Sequence, residues 1–501
     1  MRLFLDEIYD RRLKVLNVIN NSGEIKSIKE IARVTKLANR TVSMIIKQFE
    51  QELDVPERVF KVEYVNKTIK SVSANNLDLN SIGRSYLLQS TMYKVIKHIF
   101  LHDKLDVNKF CKVEFISAPT FSRNRKRLKK ILQECGLDLS RENSIIGDEF
   151  KIRNFYFLFF SNASNVWEFS TQEYLEIEQY FSVHLTQWKD MDSLKQLKFI
   201  LIVYISVTRS RKKHFAKNEV LSSSLKKHEN LESSMYLLNY FKLGRNKTIE
   251  QIRGETSATL FFFYKEQMIF EEIELSSYEE YFSLDSFPFI SLSSKLAERI
   301  VDEFFDGSKN KELYLRVKRE VDLFYLVLDI CFIDYKIFYY VYDSKKFYHA
   351  DSIEKKMKEK LAEIFHQLAI FANKDLKKFK EEDLLDYMYL AIYSLQTQFK
   401  VTSYEPVTVF IQNTKKFVRE IIKEKISPFF GDRIECVELL TSQVDIVVTD
   451  VKLPNESNLS NQVYVATFSD YDDITFLIEQ IQNKLLENYN KRKMHLHRLE
   501  S

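Results

Sequence analysis

Glycine and proline are scarce in this chain: eight and six residues in 501. So few turn residues argue against a turn-rich fold, and long Lys-, Glu-, Leu- and Ile-bearing segments argue for a mostly helical one. Cysteine is scarce too. The four thiols, Cys111, Cys135, Cys331 and Cys436, are far apart and show no CxxC spacing. That excludes a disulfide framework and a thiolate zinc site, and it suits a reducing compartment. Long apolar runs are missing. Phe199 to Val207 is too short to span a bilayer, and Phe324 to Tyr342 is interrupted by Asp329, Asp334 and Lys336. No leader is read at the start, where Met1 to Ile8 already carries Arg2, Asp6 and Glu7. There is no Gly-rich phosphate loop, no HExxH and no nucleophile elbow. The expectation is a cytoplasmic protein with no enzyme chemistry, no cofactor, no metal and no membrane partner.

What is present is length, apolar content and an uneven charge. A chain of 501 residues with 45% hydrophobic residues is too long for one core and predicts roughly three to five domains. The net charge is +4, but residues 1–165 hold 29 Lys and Arg against 19 Asp and Glu. A basic excess at one end points to a polyanion partner there.

The segment Ser27 to Leu53 reads SIKEIARVTKLANRTVSMIIKQFEQEL. Ser27 and Glu30 make a capping box that starts one helix. Ile28, Ile31 and Ala32 form its apolar face, and Leu37 plugs the turn that follows. Asn39 is read as the N-cap of a second helix, with Val42, Ile45, Ile46, Phe49 and Leu53 facing inward. Arg40, Thr41, Ser43, Met44 and Lys47 are left outward. This is the helix-turn-helix pattern, whose second helix enters the major groove by its N-terminus. Lys36 stands where a glycine often makes the turn.

A shift of 79 residues repeats the device. Ile31, Ala32, Leu37, Thr41, Val42 and Phe49 map onto Phe110, Cys111, Ile116, Thr120, Phe121 and Leu128. Asp106 and Ser117 are placed to cap the two helices, and Pro119 is tolerated in a first turn. In the second copy, six of the eight residues from Arg123 to Lys130 are Lys or Arg, and no acid occurs from Ala118 to Gln133. A solvated helix face usually mixes acids with bases for i, i+4 pairing, so an unrelieved basic ridge is expected to lie against phosphates. The outward residues are Thr120, Ser122, Arg123, Arg125, Lys126 and Arg127, continued by Lys129 and Lys130. Arg40, Arg123 and Arg125 suit guanine edges; Lys126, Lys129 and Lys130 suit phosphates. Each copy is followed by a candidate wing: Val59 to Val72 around an Asn-Lys turn, and Leu137 to Ile152 around Gly147.

The stretch GDEFKIRNFYFLFF, Gly147 to Phe160, and the SxxTFxR pattern from Ser117 to Arg123, with Leu128 after it, resemble the Mga/AtxA-like family of bacterial virulence and global transcriptional regulators. The resemblance implies a mostly α, multidomain protein. Two N-terminal winged helix-turn-helix units would occupy residues 1–75 and 76–165. Two helical domains similar to phosphotransferase-system regulation domains would follow, at 166–287 and 288–400. An α/β domain similar to the EIIB component would span 401–501. It implies a regulator, most simply an activator, that binds double-stranded promoter DNA with loose sequence preference. A homodimer through the C-terminal domains and phosphocarrier proteins as partners are also implied.

Residues 166–398 read as successive helices, with Tyr174, Ile177, Tyr180, Phe181 and Leu185 in one stripe and Leu197, Ile200, Leu201, Tyr204 and Ile205 in another. Pro288 marks a boundary. The resemblance makes histidines candidate phosphate acceptors. His214 leads, because Arg209, Arg211, Lys212 and Lys213 precede it, and His349 follows. From Ser403 onward, VTVFIQ, DRIECVEL, VDIVVTD and VYVATF alternate with helices, which predicts a parallel sheet. The loop Gln412-Asn413-Thr414 lacks the cysteine an EIIB phosphoryl carrier needs, and Cys436 is read as a buried strand thiol. Two rival readings remain: a phosphotransferase-system phosphoryl-transfer component, and an RNA-binding antiterminator with similar regulatory domains. The missing loop cysteine opposes the first. The long doubled helical motif opposes the second.

Overall fold

The computed structural model describes residues 1–20, 26–52, 60–66, 68–74, 78–164, 166–219, 221–222, 232–243, 247–266, 290–305, 310–338, 352–368, 370, 380–398, 406–412, 418–441, 444–450, 462–464 and 474–485. The chain divides into two compact units, Met1–His349 with Ala362–Met388, and Ala350–Leu361 with Tyr389–Ser501.

The first unit begins with a 3-10 turn, Arg2–Phe4, followed by α1 (Glu7–Asn20), β1 (Lys26–Ser27), α2 (Ile28–Thr35), α3 (Asn39–Glu52), β2 (Phe60–Val65) and β3 (Thr68–Ala74). The three strands form an antiparallel sheet in the order β1-β3-β2, with Val62 opposite Val72. Ile69, Val72 and Ala74 are buried, while Lys61 and Lys70 are exposed; a register shift at Glu63/Tyr64 moves the buried set from odd to even positions. The expected first wing is therefore present. Asn66 turns it at φ 49°, a backbone region that asparagine tolerates.

The second copy comprises α4 (Leu79–Gln89), α5 (Thr91–His102), α6 (Val107–Val113), α7 (Ala118–Glu134), β4 (Asp138–Leu139), β5 (Ile145–Ile146) and α8 (Glu149–Ala163). Here the hairpin differs from expectation. Its strands are two residues long and close over residues 140–144, not over Gly147. Gly147 instead carries the chain out of β5. Its φ is +151°, and a Cβ there would lie 2.6 Å from Leu137 Cδ2. Asp148 then accepts hydrogen bonds from the Phe150 and Lys151 amides at 3.0 and 3.2 Å and starts α8. The second half of the expected wing is helix for that reason.

α8 is apolar on nearly all sides and lies inside the unit. Phe150, Phe155, Tyr156, Phe157, Phe159 and Phe160 are all buried. Phe4 reaches Phe155, Phe159 and Phe338 with ring centroids 6.3, 4.9 and 6.0 Å away. Tyr93 of α5 stacks on Phe159, and Phe100 meets Tyr156 and Phe160 at a tilt. Burying each such ring contributes about 1.5–3 kcal/mol. One continuous core results, running from the first helix-turn-helix into the helices beyond α8.

Those helices are α9 (Thr171–His184), α10 (Ser193–Arg211), α11 (Glu232–Leu243), α12 (Ile249–Lys265), α13 (Ile290–Phe304) and α14 (Lys311–Ile330). The two expected stripes are inward, with Ile177, Phe181, Leu185, Ile200, Leu201, Tyr204 and Ile205 buried. Two more helices follow, α15 (Ser352–Gln367) and α16 (Glu381–Gln398). Pro288 lies outside the described residues.

The second unit holds β6 (Val407–Gln412), α17 (Val418–Phe430), β7 (Ile434–Val437), β8 (Ile446–Thr449), β9 (Gln462–Tyr464) and a helix over residues 474–485. The strands form a parallel sheet in the order β7-β6-β8-β9. Val407, Val409, Ile411 and Val448 pack with Ile422, Ile426, Leu477 and Ile481. Cys436 lies in β7 as expected but is only half-buried. Burial still pushes its thiol pKa up.

Candidate nucleic-acid interface

The two copies superpose in their local physics, position by position. Ser27 caps α2 through a reciprocal box: the Ser27 amide donates to Glu30 Oε2 at 2.8 Å, and the Glu30 amide to Ser27 Oγ at 3.4 Å. The Ser27 amide and hydroxyl, both donating to the carboxylate, hold the Glu30 carboxyl below the usual range. Asp106 does the corresponding work for α6, accepting from the Lys109 amide at 3.0 Å. At the turns, Lys36 has φ 57° and Phe115 has φ 54°. After each turn residue the next amide reaches back: Leu37 N to Ala32 O at 3.2 Å, and Ile116 N to Cys111 O at 3.0 Å. The left-handed residue is what lets the chain reverse direction.

The second helices differ at their first residue. Ser117 caps α7, accepting from the Thr120 amide at 3.3 Å, with Pro119 in the first turn. In α3, Asn39 is already inside the helix, and the Val42 amide donates to Ala38 O at 3.0 Å. The expected Asn39 cap is thus displaced by one residue. Val42, Ile45, Ile46 and Phe49 are buried on α3; Leu53 is outside the described residues. Phe121, Leu128, Ile131, Leu132 and Cys135 are buried along α7 and its end. Asn124 joins that stripe, which the sequence does not foretell; its side chain donates to Thr120 O at 3.2 Å.

On the outward faces, Arg40 and Lys47 are exposed and Thr41 and Ser43 are half-buried. On α7, Ser122, Arg123, Lys126, Arg127 and Lys130 are exposed, while Thr120, Arg125 and Lys129 are half-buried. The basic ridge is therefore real, but half of it is engaged. Arg125 Nε donates to Asn143 Oδ1 at 2.6 Å, and Nη2 to Ser140 O at 2.8 Å. Its guanidinium clamps the short wing and does not suit a guanine edge, contrary to the sequence reading. Arg127 Nη2 donates to Leu3 O and Leu5 O at 3.0 and 3.3 Å. Lys129 pairs with Asp138 at 3.3 Å. Among the described residues Arg123 reaches only Thr120 Oγ1, at 3.5 Å. Lys126 and Lys130 carry no ion pair among the described residues.

His214 is built into an ionic network. Its ring Nε2 is 2.8 Å from Asp103 Oδ1, just after α5. Three of the four cations expected to cradle a phosphate beside it are already committed. Arg209 is buried and donates to Glu149 Oε1 and Oε2 at 2.9 and 2.7 Å. Arg211 pairs with Glu173, and Lys212 donates to Phe100 O. Desolvation lowers Lys212 to about 8. Beneath them Arg153 Nη1 and Nη2 meet Glu255 Oε2 and Oε1, each at 2.9 Å, and Arg153 Nη2 also donates to His214 O at 3.0 Å. His349 lies outside the described residues.

Among the described residues no helix is long and apolar enough to cross a membrane. Nor does any group of three or more His, Cys, Asp or Glu there have the arrangement of a metal site.

Residues 75–160 match the family model of the Mga helix-turn-helix domain. The matched stretch takes in α4 to α7, the short wing and most of α8. The resemblance to Mga-like regulators drawn from Ser117–Arg123 and Gly147–Phe160 is thereby shown for this segment. No curated protein matches the chain.

Proposed function

We propose that this chain is a DNA-binding transcription regulator of the Mga type, acting as an activator, and not an enzyme. The observation that carries the reading is the match over residues 75–160 to a segment whose presumed recognition helix keeps Arg123, Lys126 and Lys130 exposed. The doubled geometry at Lys36 and Phe115 supports a second reading head at residues 1–75. Two heads give more phosphate contacts than one, and such contacts fix position on a duplex without specifying much sequence.

The helices over 166–287 and 288–400 serve as regulatory domains in this proposal. The parallel sheet β7-β6-β8-β9 supports an EIIB-like fold at 401–501, used for dimerisation. His214 is its candidate phosphate acceptor. A phosphoryl group on Nε2 would replace the contact to Asp103 with like-charge repulsion, and that contact joins α10 to the second helix-turn-helix. Phosphocarrier proteins would be the donors.

Genome-wide mapping of the DNA that co-purifies with the chain tests the reading. Enrichment at discrete promoters is the expected result, and uniform recovery across the genome would end it. Sedimentation of the same preparation counts the subunits.

A further inference from the structure

Phe115 is the most exposed large apolar residue described, at 96%. It also has φ 54°. A bulky residue in the left-handed region is a genuine outlier, and an aromatic ring left in water forgoes its burial. The position has therefore accepted two costs at once. The left-handed backbone belongs to the turn, but the ring does not, since Lys36 makes the same turn in the first copy at φ 57°. The neighbours do not explain the ring either. Val113 is exposed, but so is its counterpart Val34. Phe115 is the one position of this turn where the second copy departs toward apolar.

Its place in the fold says what meets it. Phe115 stands two residues before Ser117, the N-cap of α7, and a recognition helix enters the groove by that end. The two helices that flank it are cationic: Lys109 and Lys112 on α6 and Arg123 and Lys126 on α7 are all exposed. The adjoining acid, Glu114, is paired with Lys94 at 2.8 Å. An apolar ring in a field of positive charge complements an apolar group embedded in a polyanion. In the major groove of DNA that group is the C5-methyl of thymine.

We infer that Phe115 packs on thymine methyl groups at the edge of the groove entered by α7, giving the second copy a preference for thymine that the first, with Lys36, lacks. This rests on the DNA-binding reading above. A methyl contact is worth about four-fold in affinity per methyl buried.

The test uses the full chain and a duplex selected by it from a random-sequence pool. That duplex is made twice, with thymine and with deoxyuridine at every thymine position. Wild type is expected to bind the deoxyuridine duplex about four-fold or more weakly. F115A and F115K are expected to bind the thymine duplex with that same loss and to show no further loss on deoxyuridine. F115G keeps the backbone conformation and removes the ring; its melting temperature should equal or exceed that of wild type, separating contact from folding. If F115A binds both duplexes as wild type does, the inference is overturned and the ring belongs to a protein partner. If all variants keep the full deoxyuridine penalty, the methyls are read elsewhere and the inference again fails. A wild-type chain that selects no duplex overturns both this inference and the reading beneath it.

Discussion

Arg153 and Glu255 meet in a bidentate pair, both N···O distances 2.9 Å, with the side chains 1% and 0% exposed. Arg153 lies on α8, in the segment that matches the helix-turn-helix family; Glu255 lies on α12, in the helical region after it. Glu255 Oε1 also accepts from the Ala216 amide at 3.0 Å. Both carboxylate oxygens are satisfied and the ion pair is dry, so its worth is in what happens when one partner goes.

R153M strands the buried Glu255 carboxylate and is expected to lower unfolding free energy by about 3–5 kcal/mol. E255L leaves Arg153 its bond to Glu149 and should cost less. The double change R153M/E255L should cost less than the sum of the singles, since no lone charge remains. Denaturant unfolding of the three variants measures this.

Glu149 bridges the same network, 3.0 Å from Arg153 Nε and 2.7 Å from Arg209 Nη2. Burial alone would raise its pKa, but the two guanidinium groups outweigh it and the carboxyl ends below its ordinary value. The unfolded chain then binds more protons than the folded one between those two values. Stability from Glu149 is present above the ordinary glutamate range and is lost as pH falls through the lower folded value. Wild type should lose stability on acidification more steeply than E149Q, and melting curves recorded from neutral pH downward will show it.

The ridge on α7 should separate into two classes by mutation. R123A, K126A and K130A are expected to weaken duplex binding with the melting temperature unchanged. R125A and R127A remove hydrogen bonds made by a charged group to the wing and the N-terminal segment. R125A should therefore cost about 1–3 kcal/mol of stability, with loss of affinity following from a loosened wing. Gel shifts paired with thermal melts on the five single variants distinguish the classes.

Incubation with the general phosphocarriers should label His214, and H214A should abolish that label. The D103N change removes the charge facing the ring and is expected to increase labelling by lowering repulsion toward the incoming phosphoryl group. Peptide mapping of phosphohistidine decides; label on other histidines alone would retire the site.

Local features were legible from the sequence. Ser27, Asp106 and Ser117 cap helices through the amide three positions on, so their roles are written in the adjoining letters. The repeat at a spacing of 79 residues correctly aligned α2 with α6 and α3 with α7. The helix after Gly147 was only half-legible: aromatic density fits strand or helix, and the close approach to Leu137 that demands a glycine is a tertiary fact. The fate of the arginines was not legible at all. Arg125 is taken by Asn143, Arg153 by Glu255 and His214 by Asp103, at separations of 18, 102 and 111 residues. Charge counts record how many cations a helix owns, but not which have been spent inside the fold.

That spending sets the electrolyte behaviour of the ridge. Each phosphate neutralised by a cation sets free condensed counterions, with a slope of about −0.9 per contact in log affinity against log salt. With Arg125, Arg127 and Lys129 engaged in bonds within the chain, α7 would bring three other cations to that exchange. Its share of the salt slope is then about −2.7, half of what its composition suggests. Under the proposed DNA-binding function, the hold of this helix on a duplex would weaken with salt less steeply than its letters imply.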